Sequence, residues 1–444
     1  MENYTKESIM ALVQQQQIQS IRLQFTDIFG QLKNVAITPS QLEKALDGRV
    51  SLDGSSIRGF VRIHESDQYL RPDLSSFTVY PWQQGGIKTA RLICDVYNPD
   101  GTPFVGDPRY ILKHTLARAE EMGYRFNCGP ELEFFLFNTD ERGRPTNEVG
   151  DDASYFDLGP IDHGEETRGA ICVALEEMGF EVEASHHESG RGQHEIDFRY
   201  ADALTAADNI MTAKLAIKTI AMQRGLHATF MPKPLHGVPG SGMHVNMSLC
   251  TADGKNAFTD PNDERGLSKT CYSFIAGLLE HIKGITCVAN PLVNSYKRLV
   301  PGYEAPCYLA WSAHNRSALV RIPVARGEAC RVELRSPDTA CNPYLTFALC
   351  LAAGLDGIER GLTPPEEITE NIYEMDDRSR RQHGIENLPG SLFEACSEMA
   401  ADELVCRTLG HHTTGIYLDG KRREWDEFRT FVTDWETARY LAKY

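Results

Sequence analysis

Residues 129–135 read GPELEFF, and the run continues through Leu136 and Phe137, so two carboxylates sit inside an otherwise apolar stretch. Such a run reads as a buried strand, and alternate residues of a strand share a face. Glu131 and Glu133 therefore point to one side and Leu132 and Phe134 to the other. Two carboxylates held side by side repel unless a cation sits between them or one takes up a proton. Taken alone, the pair also suits a half-exposed strand whose polar face meets water. Other stretches of the chain have to decide.

At 444 residues the chain has length for two domains, and 41% hydrophobic with 24% charged residues is ordinary for a globular protein. Its formal charge of −17, from 62 acidic against 45 basic residues, argues against non-specific nucleic-acid binding but leaves room for a local basic cluster. The first twenty residues hold no signal-peptide core, and no apolar run approaches the ~20 residues a membrane helix needs. Twelve cysteines without any CxxC spacing predict a reduced, cytoplasmic protein.

Along the chain, IRLQFTD (21–27) and LKNVAI (32–37) flank the turn IFGQ and predict a hairpin. TPSQLEKALDG then predicts a helix with Thr38 as cap, Pro39 in its first turn and Gly48 as its stop. The turn-rich stretch 97–110 is the expected boundary, dividing the chain into 1–103 and 104–444. Helices are expected over 110–123 and 166–179, interleaved with strands, and through most of the chain after Asn342. The overall class is α+β.

Three more stretches carry chemistry. In EVEASHHESGRGQHEIDFRY (181–200), two strand-like runs flank a glycine-containing turn, placing Glu188 and Glu195 on opposite arms of a hairpin. In CRVELRSPD (330–338), Arg331, Glu333 and Arg335 share one strand face. In PGSGMHVNMS (239–248), a glycine-rich approach delivers His244. Alone, each has a plainer reading: a hydrogen-bonded core histidine, a strand edge, a surface ladder of ion pairs. Together, five glutamates and a histidine suit two hard divalent cations, Mg²⁺ or Mn²⁺. Arginines 298, 316, 321, 331 and 335 offer forks for phosphate and carboxylate oxygens. With neither GxxxxGK[ST] nor GxGxxG in the chain, metals, arginines and strand edges would have to hold any nucleotide. The residues alone lead to metal-assisted phosphoryl chemistry on a carboxylate-bearing substrate.

LDGSSIRGFVRIHESDQYL (52–70), KPLHGVPGSGMHVNMS (233–248), NSYKRLVPGYEAP (294–306) and RVELRSPD (331–338) resemble, in order, the motifs of type I glutamine synthetases, most closely the short Gram-positive-like branch. The resemblance implies a small N-terminal β-grasp-like domain followed by a large catalytic domain with a curved antiparallel sheet flanked by helices. It also implies a homo-dodecamer of two hexameric rings with active sites shared between neighbours. The reaction implied joins L-glutamate and ammonium at the expense of ATP, through γ-glutamyl phosphate, with two Mg²⁺ or Mn²⁺ per site. Glu133, Glu188 and Glu195 match the ligands of the tighter metal; Glu131, His244 and Glu333 match those of the second. Gly240, Arg298, Arg316, Arg335 and Glu304 match contacts to glutamate and the transferring phosphoryl, Glu304 lying on the flap that closes the site. Glu183, Asn246, Ser248, Arg316, Arg321 and Arg331 match the ATP site. Asp53 matches the aspartate a neighbouring subunit supplies to deprotonate ammonium, and Arg62 an arginine of glutamine feedback inhibition.

The chain departs from the family pattern at Pro239, where an asparagine is usual, and at Arg191, an extra cation in the hairpin turn. Pro239 keeps open a γ-glutamyl ligase for methylamine or a polyamine. A catalytically weak nitrogen sensor that binds regulatory proteins is a further alternative. The residues after Tyr373 differ from those of adenylylated relatives, so no adenylylation is expected there.

Overall fold

The computed structural model describes residues 4–57, 59, 67–83 and 85–444. Its N-terminal part is one five-stranded sheet made of β1 (Ser20–Thr26), β2 (Leu32–Ile37), β3 (Val50–Asp53), β4 (Asp67–Val79) and β5 (Thr89–Tyr97), in the order β2-β1-β5-β4-β3. The expected hairpin is the β1–β2 pair, antiparallel with Ile21 opposite Ile37. β1 and β5 run parallel, so the sheet is mixed. Two helices, α1 (Lys6–Gln15) and α2 (Leu42–Leu46), bury Ile9, Val13, Leu42 and Leu46 with Leu23, Leu70, Leu92 and Val96 in one core. The helix predicted from Thr38 starts differently. Residues Pro39–Gln41 form a single tight turn ahead of α2, and the Thr38 hydroxyl meets Ser40 Oγ at 2.9 Å instead of capping a helix N–H.

The larger part is built on β6 (Tyr124–Thr139), sixteen residues long. Around it lie β7 (Pro145–Val149), β8 (Val182–His187), β9 (Gln193–Phe198), β10 (Ala201–Asp202), β11 (Leu226–Thr229), β12 (Val245–Thr251), β13 (Trp311–Ser312), β14 (Val320–Arg321) and β15 (Val332–Leu334). They form one ten-stranded sheet with the path β13-β14-β15-β12-β6-β9-β8, and β7, β10 and β11 also pair with β6. The expected antiparallel pairing holds except at β13–β14, which run parallel and make this sheet mixed too.

Helices α3 (Pro108–Glu121), α4 (Glu165–Glu177), α5 (Ala203–Gln223), α6 (Lys269–Ala289), α7 (Ser295–Arg298) and α8 (Pro343–Arg360) precede α9 (Asp377–Gln382), α10 (Leu392–Ala401), α11 (Glu403–Arg429) and α12 (Asp434–Tyr440). The main core joins Leu132, Phe134 and Ile196 of the sheet to Ile217 of α5, Phe274 of α6 and Phe347 of α8, all fully buried. α6 and α8 approach backbone to backbone: a Cβ added at Gly277 would lie 2.0 Å from the Ala353 carbonyl oxygen. None of the helices among the described residues is long and apolar enough to cross a membrane.

Two devices fasten the sheets to each other. Asn342 caps α8 through its side-chain oxygen, while its Nδ2 donates to the Asp27 carbonyl at 3.1 Å in the β1–β2 turn. Arg109 on α3 reaches Asp73 of β4 and Asp95 of β5, each at 2.7 Å, and holds Asp208 of α5 with two hydrogen bonds.

Candidate active site

A cavity of about 1010 Å³ opens at the edge of the larger sheet, and all six candidate metal ligands line it. β6 presents Glu131 and Glu133 on one face, as strand alternation requires, while Leu132 and Phe134 turn into the core. β9 brings Glu195 directly opposite Glu133, and Glu188 follows β8 in the hairpin turn. His244 stands immediately before β12, and Glu333 is the middle residue of β15.

Two trios form in this cavity, each with ligand atoms within 4.8 Å of one another. In the first, His244 Nδ1 lies 3.0 Å from Glu131 and 3.6 Å from Glu333. This is the set expected for the second metal. The other trio joins Glu188 and Glu195 to His186, whose Nε2 is 3.1 Å from Glu188. The sequence reading treated His186 as strand edge. Glu133 shares the cavity, but its Oε2 accepts hydrogen bonds from Gln193 Nε2 at 2.9 Å and the Gly242 N–H at 2.8 Å. No motif marks His186 or Gln193; His186 gains its place by facing Glu195 across the hairpin ladder.

The electrostatics favour a cation. Burial, with Glu133, Asp197 and Glu131 crowding behind it, pushes the Glu195 carboxyl up to about 12. Burial and the charge on Glu188 raise Glu133 to about 7 despite His244. Burial and Glu131 raise Asp197 to about 6. Burial would raise Glu131 as well, but His244 and Asn246 outweigh it and hold Glu131 at about 2. Oxygen ligands at this density suit a hard divalent ion, which offsets the mutual repulsion. Behind the hairpin, Asp151, Asp162, His187 and His194 also come close, but a cation already sits there. Arg168 Nη1 lies 2.7 Å from Asp162 and 2.9 Å from His194 Nδ1.

Basic groups edge the carboxylates. Arg321 Nε lies 2.5 Å from Glu333, and Arg335 Nε lies 3.3 Å from its other oxygen. Arg335 also donates to the Arg316 carbonyl, which fixes the loop carrying the exposed Arg316 side chain. Arg298, buried behind the site, donates to the Ser336 carbonyl at 2.7 Å. Gly240 has no room for a side chain: an added Cβ would lie 2.2 Å from the Pro232 carbonyl oxygen and 3.2 Å from Arg298. The glycines of PGSG thus let backbone come close to Arg298.

Glu304 stands exposed at the rim with φ +65°, a left-handed conformation that is costly for a glutamate and typical of functional loops. Tyr155 and Phe156, missed by the sequence reading, stand at the same rim, with the Phe156 ring 4.7 Å from His186. Tyr373 donates its hydroxyl to the Ala305 carbonyl at 2.8 Å, and its phenol is pushed up to about 12 by burial.

A neighbouring cavity of about 470 Å³ is lined by Glu183, Asn246, Ser248 and Arg331, and touches the first through Glu131 and Asp197. Asn246 links the two, donating to Glu131 at 2.9 Å while accepting from Arg331 Nε at 3.0 Å. Asp53 lines neither cavity. It stands exposed at the end of β3, where the Ser55 hydroxyl, the Ser55 N–H and Ser56 hold its carboxyl below the usual range. Arg62 lies outside the described residues.

Comparison with known proteins gives a consistent result. The family model described as "Glutamine synthetase, catalytic domain" matches residues 105–440, and "Glutamine synthetase, beta-Grasp domain" matches residues 17–99. A glutamine synthetase of Clostridium saccharobutylicum is 62% identical over 444 residues, covering 100% of both chains. One of Staphylococcus aureus (strain Mu50 / ATCC 700699) is 55% identical over 442 residues, 99% of each chain. A solved structure described as "GmaS/ADP complex-Conformation 1" superposes with a TM-score of 0.89 at 32% identity, over 98% of this chain and 99% of that one.

Proposed function

Because the chain belongs to the glutamine synthetase family, glutamate–ammonia ligases that use ATP and divalent metals, we propose how its own residues divide that work. Glu131, His244 and Glu333 hold one Mg²⁺ or Mn²⁺, and Glu133, Glu188 and Glu195 hold another. The observation that carries the reading is the meeting of these six side chains, from four distant segments, in one cavity. When bound, the ions supply Lewis-acid neutralisation of polyphosphate and carboxylate charge.

ATP occupies the smaller cavity beside Glu183, Asn246, Ser248 and Arg331, with its phosphates directed past Glu131 towards Arg321 and Arg316. The structurally similar GmaS is described as a complex with ADP, which supports a nucleotide site in this fold. Glutamate lies against Gly240, Arg298 and Arg335. An oxygen of its γ-carboxylate attacks the terminal phosphorus, ADP departs, and γ-glutamyl phosphate results. The arginines stabilise the charge carried through that transition state. Ammonium must lose a proton before its nitrogen can attack the acyl carbon and expel phosphate. Asp53, from a neighbouring subunit, binds the cation and accepts the proton. Its position outside both of these cavities in its own chain supports a site completed across an interface, in a homo-dodecamer of two hexameric rings. Glu304 closes over the acyl phosphate and keeps water out. Arg62 acts in feedback inhibition by glutamine. A reducing compartment, the cytoplasm, suits a chain whose twelve cysteines are all free thiols.

The test is glutamine formation and phosphate release with Mg²⁺, ATP and glutamate, comparing ammonium with methylamine and polyamines. Preference for ammonium is expected; preference for an amine would instead tie Pro239, which lines the cavity, to a γ-glutamyl-amine ligase. Release of no phosphate with any acceptor would point to a nitrogen sensor. Mixing Asp53→Ala with Arg335→Ala subunits should restore part of the activity, and its absence in co-assembled rings would reject the shared site.

A further inference from the structure

Where the five-stranded sheet meets the catalytic part, a separate chamber of about 440 Å³ shares no lining residue with either cavity described above. Arg22 of β1 and Lys214 and Lys218 of α5 line it, and no carboxylate among the described residues does, in a chain with 62 acidic residues against 45 basic. A cleft of one sign focuses its field and draws counter-ions. The two lysines are an i, i+4 pair of like charge, an arrangement that weakens a helix unless something compensates. Lys214 makes one long hydrogen bond, 3.4 Å to the Cys341 carbonyl, and burial lowers its pKa.

Arg22 stands in register with Arg91 on the parallel β1–β5 pair, so two guanidinium groups share one sheet face. Arg91 does not line the chamber; it is buried on that same sheet face, and its Nε and Nη1 have no hydrogen-bond partner among the described residues. The nearby Asp208 already serves Arg109 and the Tyr344 hydroxyl. Juxtaposed like charges in a sheet are costly, and buried unsatisfied donors add to the cost. Gln24, Gln31, Asn34, Thr229 and Thr339 add neutral polar groups to the lining, and the aromatic wall is flat. Tyr80 and Trp82 stack with centroids 4.7 Å apart, and the Phe230 ring has Lys214 and Lys218 Nζ at 5.7 and 5.5 Å from its centroid. The volume falls within the range of about 300–1,000 Å³ usual for small-molecule sites.

We propose that this seam chamber binds a small ring-bearing anion, an aromatic carboxylate or phosphate monoester, with its head between Lys214, Lys218 and Arg22 and its ring against Trp82 and Phe230. The full-length protein is titrated with phenyl phosphate and with benzoate, following heat and Trp fluorescence, alongside inorganic phosphate and benzyl alcohol. Saturable binding of at least one ring-bearing anion is expected, with neither the bare head nor the neutral ring matching it. Whichever of the two binds more tightly identifies the head group. Lys214→Met with Lys218→Gln should weaken binding about tenfold or more, and Lys255→Gln, remote from the chamber, should leave it unchanged. Lys218 is exposed, so Lys218→Gln alone gives a folded variant that should already weaken binding measurably. Absence of saturable binding, equal binding of inorganic phosphate, or binding indifferent to both lysine changes would each overturn the proposal.

Discussion

Replacing Arg109 by methionine should loosen the join between the two sheets without touching the catalytic cavity. The side chain is 3% exposed, and it faces Asp73, Asp95 and Asp208 within 2.9 Å. Among the described residues Asp95 keeps a second salt bridge, to Lys113 at 2.6 Å, which also lies near Asp73, and Asp208 keeps the Tyr344 hydroxyl with Arg91 nearby. Removing one partner of a buried ion pair costs about 3–5 kcal/mol, because the charges left behind stay desolvated. Unfolding entropy of about 2.1 cal/mol/K per residue gives roughly 0.9 kcal/mol/K for 444 residues, so Tm should fall by about 3–5 °C if the chain unfolds as one unit. A larger shift would mean that the N-terminal sheet unfolds first. Differential scanning calorimetry at fixed protein concentration measures this, with glutamine formation at 25 °C as a control that should change little. The pH dependence has a definite sign. Burial would raise Asp73, but hydrogen bonds from Ser75 and Arg109 hold it below its ordinary value. Its contribution is therefore present above the unfolded carboxylate pKa and is lost as pH falls. In the variant the carboxylates repel one another, so its deficit should shrink towards pH ~4, where they take up protons. A Tm change below about 1 °C, or a deficit that grows in acid, would refute the reasoning.

Gly277→Ala should destabilise by at least about 1–3 kcal/mol through overpacking against the Ala353 carbonyl, whereas Gly415→Ala, with nothing within 4 Å of the new Cβ, should be near neutral by thermal melting. His281 bonds Asp402 at 2.8 Å and Asp356 at 3.2 Å, and these partners raise its pKa against the opposing effect of burial. His281→Gln should therefore lose more stability at pH 5.5 than at pH 9, since the histidine's contribution is full below its unfolded pKa and vanishes as pH rises through the folded one. Tyr373→Phe frees the Ala305 carbonyl beside Glu304, and steady-state kinetics should show a higher KM for glutamate with a smaller change in kcat. Intact-mass measurement should find Tyr373 without AMP; an AMP adduct there would contradict the bonding of its hydroxyl to the flap.

What could be read from the sequence was what depends on neighbours in the chain. The alternation around Leu132 and Phe134 placed β6 and aimed Glu131 and Glu133 correctly, and Glu188 and Glu195 fell on a hairpin because seven residues allow little else. Pairings between distant segments were not legible: β1 lies beside β5 across almost seventy residues, and no local pattern distinguishes that parallel partner from an antiparallel one. The Thr38 cap failed because residues 39–41 close a tighter turn, leaving its hydroxyl nearer to Ser40 than to a helix N–H. His186 escaped notice because its importance comes from standing across the ladder from Glu195, not from any motif. Arg109 likewise looked like one of many basic residues until three aspartates from three elements converged on it.

The hairpin of β8 and β9 alternates two chemistries on its two sides. His186 and Glu195 face the cavity, and His187 pairs with His194 on the side turned inward. A slip of one residue in a strand exchanges its faces. Shortening the turn at 189–192 by one residue would advance β9 and set Ile196, a core residue, where Glu195 now stands. Such a protein would keep its hairpin yet trade a cavity carboxylate for a hydrocarbon, and turn a charge towards the core. The length of the turn therefore decides how many oxygens the cavity can offer, although none of the turn's own atoms supplies one.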